Sequence, residues 1–268
     1  MQRVLVLSDL HFGLPARRTP TPRMLRPLWQ NVDHLLLNGD TCELHQPAMR
    51  EQSIKALRTL MDLCREDGVG VSILAGNHDP FISPLQRCSL VDGRVLVTHG
   101  HDIHRTRPRP LVDGQQSEVG TAASLTGRHQ FDDDAFKDAI ERSDRFAPPE
   151  HELQAPQTLL DSIPWSASKP FLVLKILRYW RDFPGFARRY RSQVASEAKV
   201  VLVGHSHRDG AWTTDGCTVL NTGSWTWPGR PHAVYIDGTV LRMCRIRKRG
   251  GTAHAIDSPV FEQDLAQA

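Results

Sequence analysis

The sequence predicts an α/β fold, on three observations. Short apolar runs recur along the chain, and each gives way at once to polar residues. Arg3–Leu7 leads to Ser8-Asp9-Leu10-His11, His34–Leu37 to Asn38-Gly39-Asp40, and Val69–Leu74 to Ala75-Gly76-Asn77-His78-Asp79. Val95–Val97 leads to Thr98-His99-Gly100-His101, and Val200–Val203 to Gly204-His205-Ser206-His207. Unbroken apolar runs of this length suit strands buried on both faces. Helical stretches lie between some of the runs, and every run end carries Asp, His or Asn. Ligands of α/β folds gather beyond the carboxyl ends of the strands, so one pattern predicts both the fold and its candidate site.

The elements follow in order. Between the second and third runs, Met49–Glu66 places Ile54, Leu57, Leu60, Met61 and Cys64 at helical spacing, with Gly68 as the stop. Thr218–Leu220, Ala233–Ile236 and Val240–Ile246 are β-rich and predict three further strands. The basic cluster Arg242, Arg245, Arg247, Lys248 and Arg249 reads as a solvated strand edge and tail. Residues 103–198 differ from the rest. They hold a Pro/Arg stretch, a Gly/Ser/Thr-rich loop, an acidic cluster at Asp132–Asp134 and the aromatic, basic stretch Phe171–Arg191. This predicts a largely helical insertion within a single domain spanning 1–268, packed as a cap over the strand ends. Pro184-Gly185 should break its long helix in two.

Bulk properties narrow the function. A chain of 268 residues can bury a sizeable core, and 40% hydrophobic with 24% charged residues is ordinary for a globular protein. The net charge of +3 suits an anionic substrate and is too weak to point to nucleic acid. Five scattered cysteines without a CxxC pair argue against a disulfide framework and for a reducing compartment. The first apolar run is far shorter than the roughly 7–15 residues of a signal peptide or the roughly 20 of a membrane span. The expected location is therefore the cytoplasm.

The run ends hold the chemistry. Asp9 and His11 are two apart, a spacing that in extended backbone puts both side chains on one face. Asp40, Asn77, His99, His205 and His207 complete an oxygen and nitrogen set without thiolate, which suits manganese, iron, zinc or cobalt. Seven ligands are too many for one ion with an open position. They suit two ions about 3.5–4 Å apart that share a carboxylate, and Asp40, central in chain order, is the natural bridge. Such a pair lowers the pKa of a bridging water towards about 7, so that a hydroxide attacks at neutral pH, and it offsets charge on phosphoryl oxygens. His78, next to a ligand, can protonate the leaving oxygen, and Asp79 can orient it. Asn77, His78, Arg208 and His45 are the candidates for touching substrate. His101 reads as a rim residue, being further than His99 from its strand end.

The ordered set DxH, GD, GNHD, HGH and GHSH, spanning residues 9 to 207, resembles the calcineurin-like metallophosphoesterase superfamily. The resemblance implies a four-layer α/β/β/α sandwich. It implies a first metal, most simply Mn2+, on Asp9, His11, Asp40 and His207, and a second on Asp40, Asn77, His99 and His205. His78 matches the family histidine that steadies the transition state or protonates the leaving group. Asn221-Thr222-Gly223-Ser224-Trp225 resembles a strand-end segment of bacterial members. The size and the helical insertion are similar to UDP-2,3-diacylglucosamine diphosphatases of lipid A synthesis, although that branch reads GNRD where this chain reads GNHD. The expected substrate is therefore a phosphate ester or diphosphate, small or lipid-linked. With a lipid, 171–191 would touch the inner membrane peripherally. A nuclease or a non-catalytic scaffold fits the residues less well.

Overall fold

The structure, a computed structural model, describes residues 2–15, 19–103, 116–119, 133–146, 170–227, 229–256 and 258–267. Two mixed sheets stack face to face between two layers of helix. The first sheet is ordered β12 (Thr252–Ala255), β11 (Val240–Arg249), β10 (His232–Asp237), β1 (Arg3–Leu7), β2 (His34–Asn38) and β3 (Gly70–Leu74), with β13 (Phe261–Asp264) also paired to β11. The second is ordered β6 (Gln116–Val119), β4 (Leu85–Leu90), β5 (Val95–Thr98), β7 (Val200–Val203), β9 (Cys217–Asn221) and β8 (Gly210–Thr214). β1, β2 and β3 run parallel, as do β5, β7 and β9. Each parallel block therefore presents its carboxyl ends together.

The apolar runs are continuous because both faces of these strands are buried. In β1, Val4 and Val6 point between the sheets, where they meet Leu36, Leu74, Val97 and Leu202. Leu5 and Leu7 point the other way, onto Trp29, Leu57 and Leu60. The period of two also governs β7: Val200 and Leu202 face the other sheet, Val201 and Val203 face outward. The outer layer on the first sheet holds α1 (Pro22–Leu25) and α2 (Arg50–Glu66), which ends at Gly68 with φ +71°. α3 (Asp133–Phe146) adds Phe136 and Ala139 to the same layer. The outer layer on the second sheet is α4 (Pro170–Val194), which packs Phe183, Ala187 and Tyr190 against it.

Two expectations change. α4 runs through Pro184 without a break. A proline removes the donor for the carbonyl four residues earlier, here that of Trp180, and Arg208 Nη1 donates to that oxygen at 2.6 Å instead. β11 is not a sheet edge, because β12 and β13 cover it, and Arg242 pairs with Glu262 of β13 at 2.7 Å. Within 103–198, the described helices join the two outer layers. A cap built by 104–115, 120–132 or 147–169 lies outside the described residues.

Candidate metal centre

Five of the seven run-end ligand candidates sit in unusual backbone. Asp9, His11, Asp40, His205 and His207 all have positive φ, between 48° and 61°. Left-handed conformation costs a non-glycine residue roughly 1–2 kcal/mol, and such strain gathers at functional sites. Asp9 and His11 therefore do not share a face of extended chain. They lie beyond β1, and the left-handed turns aim both at one point. The glycines serve close approach. A Cβ at Gly39 would overlap the His99 ring, one at Gly76 would overlap Asp40, and one at Gly204 would overlap Asp9 Oδ2 and Ser8. Gly204 itself has no positive φ; the histidines after it make the turn.

These turns, with Asn77 and His99 beyond the ends of β3 and β5, bring all seven sequence-derived ligand candidates together. Ligand atoms of Asp9, His11, Asp40 and His207 lie within 4.8 Å of one another, as do those of Asp40, His99 and His205, and either group could hold a metal ion. Asp40 belongs to both. His207 Nε2 is 3.2 Å from Asp9 Oδ1 and 3.3 Å from His11 Nε2. Asn77 Oδ1 lies 3.2 Å from His99 Nε2 and 2.8 Å from His205 Nδ1. The far ring nitrogens are already used. His11 Nδ1 donates to Glu43 Oε1 at 2.7 Å, and His99 Nδ1 to the Asn38 carbonyl at 3.0 Å. In the neutral rings that a metal would take, those protons leave each Nε2 a lone pair facing inward, beside carboxylate and amide oxygens that are also acceptors. A convergent set of acceptors fits a cation.

The electrostatics agree with that chemistry. Burial raises the pKa of Asp40, but the charges of His99 and His78 outweigh it and hold the group well below the usual range. Asp9 is lowered too, its burial offset by the His207 hydrogen bond and by His99. Burial opposes charge on His78 and His99, yet Asp40 lifts them to about 10 and about 9, with Glu43 helping His78. His205 falls to about 3 through burial and the neighbouring His99. Without a cation, the buried carboxylates rely on imidazolium partners.

Two roles differ from the expectation. Asp79 does not orient His78. Its carboxylate accepts four backbone N–H bonds, from Gly76, Asp40, Thr41 and Cys42, at 2.8–3.1 Å, which fixes the loop around Asp40. Burial and the Asp40 charge push Asp79 up to about 7, against those donors. The partner of His78 is Glu43, whose Oε2 accepts from His78 Nδ1 at 2.8 Å while Oε1 holds His11. Burial resists the charge on Glu43, but the two imidazoles bring it down to about 2. The signal for Glu43 was an acid three residues past Asp40, set between Cys42 and Leu44 in an apolar context.

The remaining candidates frame the site. His45 packs its ring 4.4 Å from that of His78 and its Nδ1 donates to the His78 carbonyl at 3.2 Å. His101 lies 5.7 Å from the His99 ring and 6.4 Å from that of His205. Arg208, besides serving the Trp180 carbonyl, lies 5.2 Å over the Trp212 ring. Trp180 Nε1 in turn donates to the Ser206 carbonyl at 2.8 Å, so α4 is bonded twice to the loop that carries His205 and His207.

Among solved structures, a single mutant of Vps29 from Entamoeba histolytica is 14% identical, with 98% of each chain covered and a TM-score of 0.47. YfcE, a phosphoesterase from E. coli, is 15% identical over 98% of this chain and 100% of its own, with a TM-score of 0.45. A conserved uncharacterized protein of Streptococcus pneumoniae TIGR4, described as a predicted phosphoesterase, is 17% identical over 98% of each, at 0.39. No curated protein matches. The model of the calcineurin-like phosphoesterase family, Metallophos, matches residues 2–209, a span that includes all five run ends. The chain therefore belongs to the calcineurin-like phosphoesterases.

Proposed function

We propose that this protein is a dinuclear metal-dependent hydrolase of phosphate esters or diphosphates. The observation that supports it best is the membership of Asp40 in two ligand groups, one with Asp9, His11 and His207 and one with His99 and His205, with Asn77 beside the second. Two divalent ions, Mn2+ in the first instance, would make a water acidic enough to attack at neutral pH and would offset charge on the phosphoryl oxygens. The chain's own residues do the rest. Glu43 holds His78 by Nδ1, which leaves Nε2 to give its proton to the departing oxygen. Burial of Asp9 and Asp40 keeps competing water from their carboxylates. The Gly76-Asn77 turn, pinned by Asp79, keeps Asn77 Oδ1 between His99 and His205.

A second reading, a diphosphatase acting on a UDP-diacylglucosamine-like lipid, draws on α4. Its first half is apolar on most sides and exposed, with Phe171 88%, Leu174 44% and Leu177 51% accessible. Lys175, Arg178 and Arg181 are the charged residues there, and Asp182 is the first acid. No helix among the described residues is long and apolar enough to cross a membrane. On this reading the protein works in the cytoplasm at the inner-membrane surface, its apolar turns among acyl chains and its arginines at phosphates.

One experiment tests both. Chelator-stripped protein, with and without Mn2+, is assayed on an aryl phosphate monoester, an aryl diester and a diacylated nucleotide-diphosphate sugar in vesicles. Activity that vanishes on stripping and returns with Mn2+ is expected. Full activity of metal-free protein would overturn the proposal, and turnover of the soluble esters alone would remove the lipid reading.

A further inference from the structure

Strand β9 ends at Asn221 and leads into Thr222-Gly223-Ser224-Trp225, beyond residue 209 where the family match stops. The segment is buried, and its two leading polar side chains turn towards the ligand groups rather than into the core. The parallel pairing of β7 with β9 sets Asn221 beside Val203, next to the loop that carries His205 and His207. Asn221 Nδ2 donates to the Gly204 carbonyl at 2.7 Å and to Ser206 Oγ at 2.9 Å. Its Oδ1 accepts from the Gly223 N–H at 2.9 Å, which fixes the amide's orientation. Every polar atom of this fully buried amide is thereby engaged.

Thr222 reaches the other end of the ligand set. Its Oγ1 is 2.5 Å from Ser8 Oγ, and the Ser8 hydroxyl donates to Asp9 Oδ2. A hydroxyl has one proton. That of Ser8 goes to the carboxylate, so the proton in the 2.5 Å contact comes from Thr222, whose other acceptor, the Val203 carbonyl, is further away at 3.4 Å. The result is a directed chain of hydrogen bonds, Thr222 to Ser8 to Asp9, while Asp9 Oδ1 faces His207 at 3.2 Å and accepts from the His205 N–H at 3.1 Å. Asp9, His205 and His207 all hold left-handed backbone, which persists only where surrounding contacts over-determine it.

We infer that Asn221 and Thr222 are positioning residues for the metal centre and act on different parts of it. The inference rests on the two-ion reading above. Thr222 works through Ser8 on Asp9, and therefore chiefly on the first ligand group, its link to the second being the bond that Asp9 accepts from the His205 N–H at 3.1 Å. Asn221 works through Gly204 and Ser206 on a loop that gives one histidine to each group, and therefore on both. Outer hydrogen-bond partners of this kind change metal affinity by roughly 10–100-fold.

The test is an equilibrium titration of metal-free protein with Mn2+, counting bound ions and following their spectrum by electron paramagnetic resonance. Folding is checked by circular dichroism and thermal melting. Thr222→Val, which keeps shape and deletes the hydroxyl, should weaken one of two ions roughly 10–100-fold and the other clearly less. Thr222→Ser should restore it, and Asn221→Ala should weaken both. A merely structural role would give no such split and no rescue. Folded Thr222→Val that titrates like wild type overturns the inference, as does equal weakening of both ions. If Thr222→Val does not fold, Ser8→Ala breaks the same chain from its other end, and a wild-type titration of that variant is equally fatal. Wild-type protein that binds no Mn2+ would instead sink the two-ion reading itself.

Discussion

Leu36 and Asp40 lie four residues apart along β2 and its continuation, both shut off from solvent, and they are built on opposite rules. Leu36 sits in ordinary strand geometry, paired with Val6 on one side and Ser72 on the other, its side chain among aliphatic neighbours from both sheets. Asp40 has φ 48°, a charged side chain, and two imidazoles within 4.0 Å of its carboxylate. The body of the strand supplies stability by burying apolar surface, at about 25 cal/mol per Å2. Its tip spends part of that stability on strained backbone and convergent charge. Placing a site at strand ends thus lets a rigid sheet hold an arrangement that would not form alone.

The sharpest break of this contrast is at the tip. Asp40→Ala removes a ligand common to both groups, so phosphoesterase activity should fall to background. His78→Ala should keep both metals and lose roughly 10²–10⁴-fold in rate, the usual worth of a general acid. Asp40→Ala should lose more. Metal should also stop contributing to stability. At a thousandfold excess over Kd a bound ion adds about 4 kcal/mol, so chelation should lower the melting temperature of wild-type protein and leave that of Asp40→Ala unmoved. A chelator-sensitive Asp40→Ala would mean that the metal rests on other residues.

The body of the strand should answer in the other currency. Leu36→Ala leaves a cavity between the sheets and should cost about 2–5 kcal/mol in urea unfolding. The folded fraction should bind Mn2+ as wild type does. Loss of metal affinity in step with stability would show that the tip is not insulated from the core.

The same contrast explains what was legible beforehand. β1 and β7 match their apolar runs residue for residue, and β2, β3, β5 and α2 match to within one residue or two, because burial on both faces leaves a continuous signal. β4, Leu-Gln-Arg-Cys-Ser-Leu, and β8, Gly-Ala-Trp-Thr-Thr, carry no such run and were not foreseen; they lie towards the sides of their sheet, where less of each face is covered. At the site, residue types exposed the seven candidates, since carboxylate and imidazole at successive run ends have a chemical meaning. Glu43 and the Asn221–Thr222 pair act through other side chains, and only the folded backbone brings them there. The unbroken α4 was hidden for a similar reason: the Trp180 carbonyl freed by Pro184 finds its donor in Arg208, remote in sequence.

His34, at the start of β2, gives the finest test, because it puts a titratable ring in the strand's insulated body. Its Nε2 meets Ser72 Oγ at 3.0 Å, while Nδ1 has no hydrogen-bond partner among the described residues. Burial pulls its pKa from 6.5 down to about 4. In the unfolded chain it titrates near 6.5, so between pH 6.5 and pH 4 the unfolded state binds the extra proton. The stability attached to His34 is present above pH 6.5 and is lost as pH falls towards 4, to a total of about 3 kcal/mol at most. His34→Gln keeps a polar group for Ser72 and removes the titration. Urea unfolding of metal-free protein at pH 7 and pH 4.5 should show a smaller acid loss in the variant than in wild type, whatever the carboxylates at the tip contribute to both. Equal losses would mean that His34 is protonated or solvated within the fold, and that the body of β2 is less insulated than its burial implies.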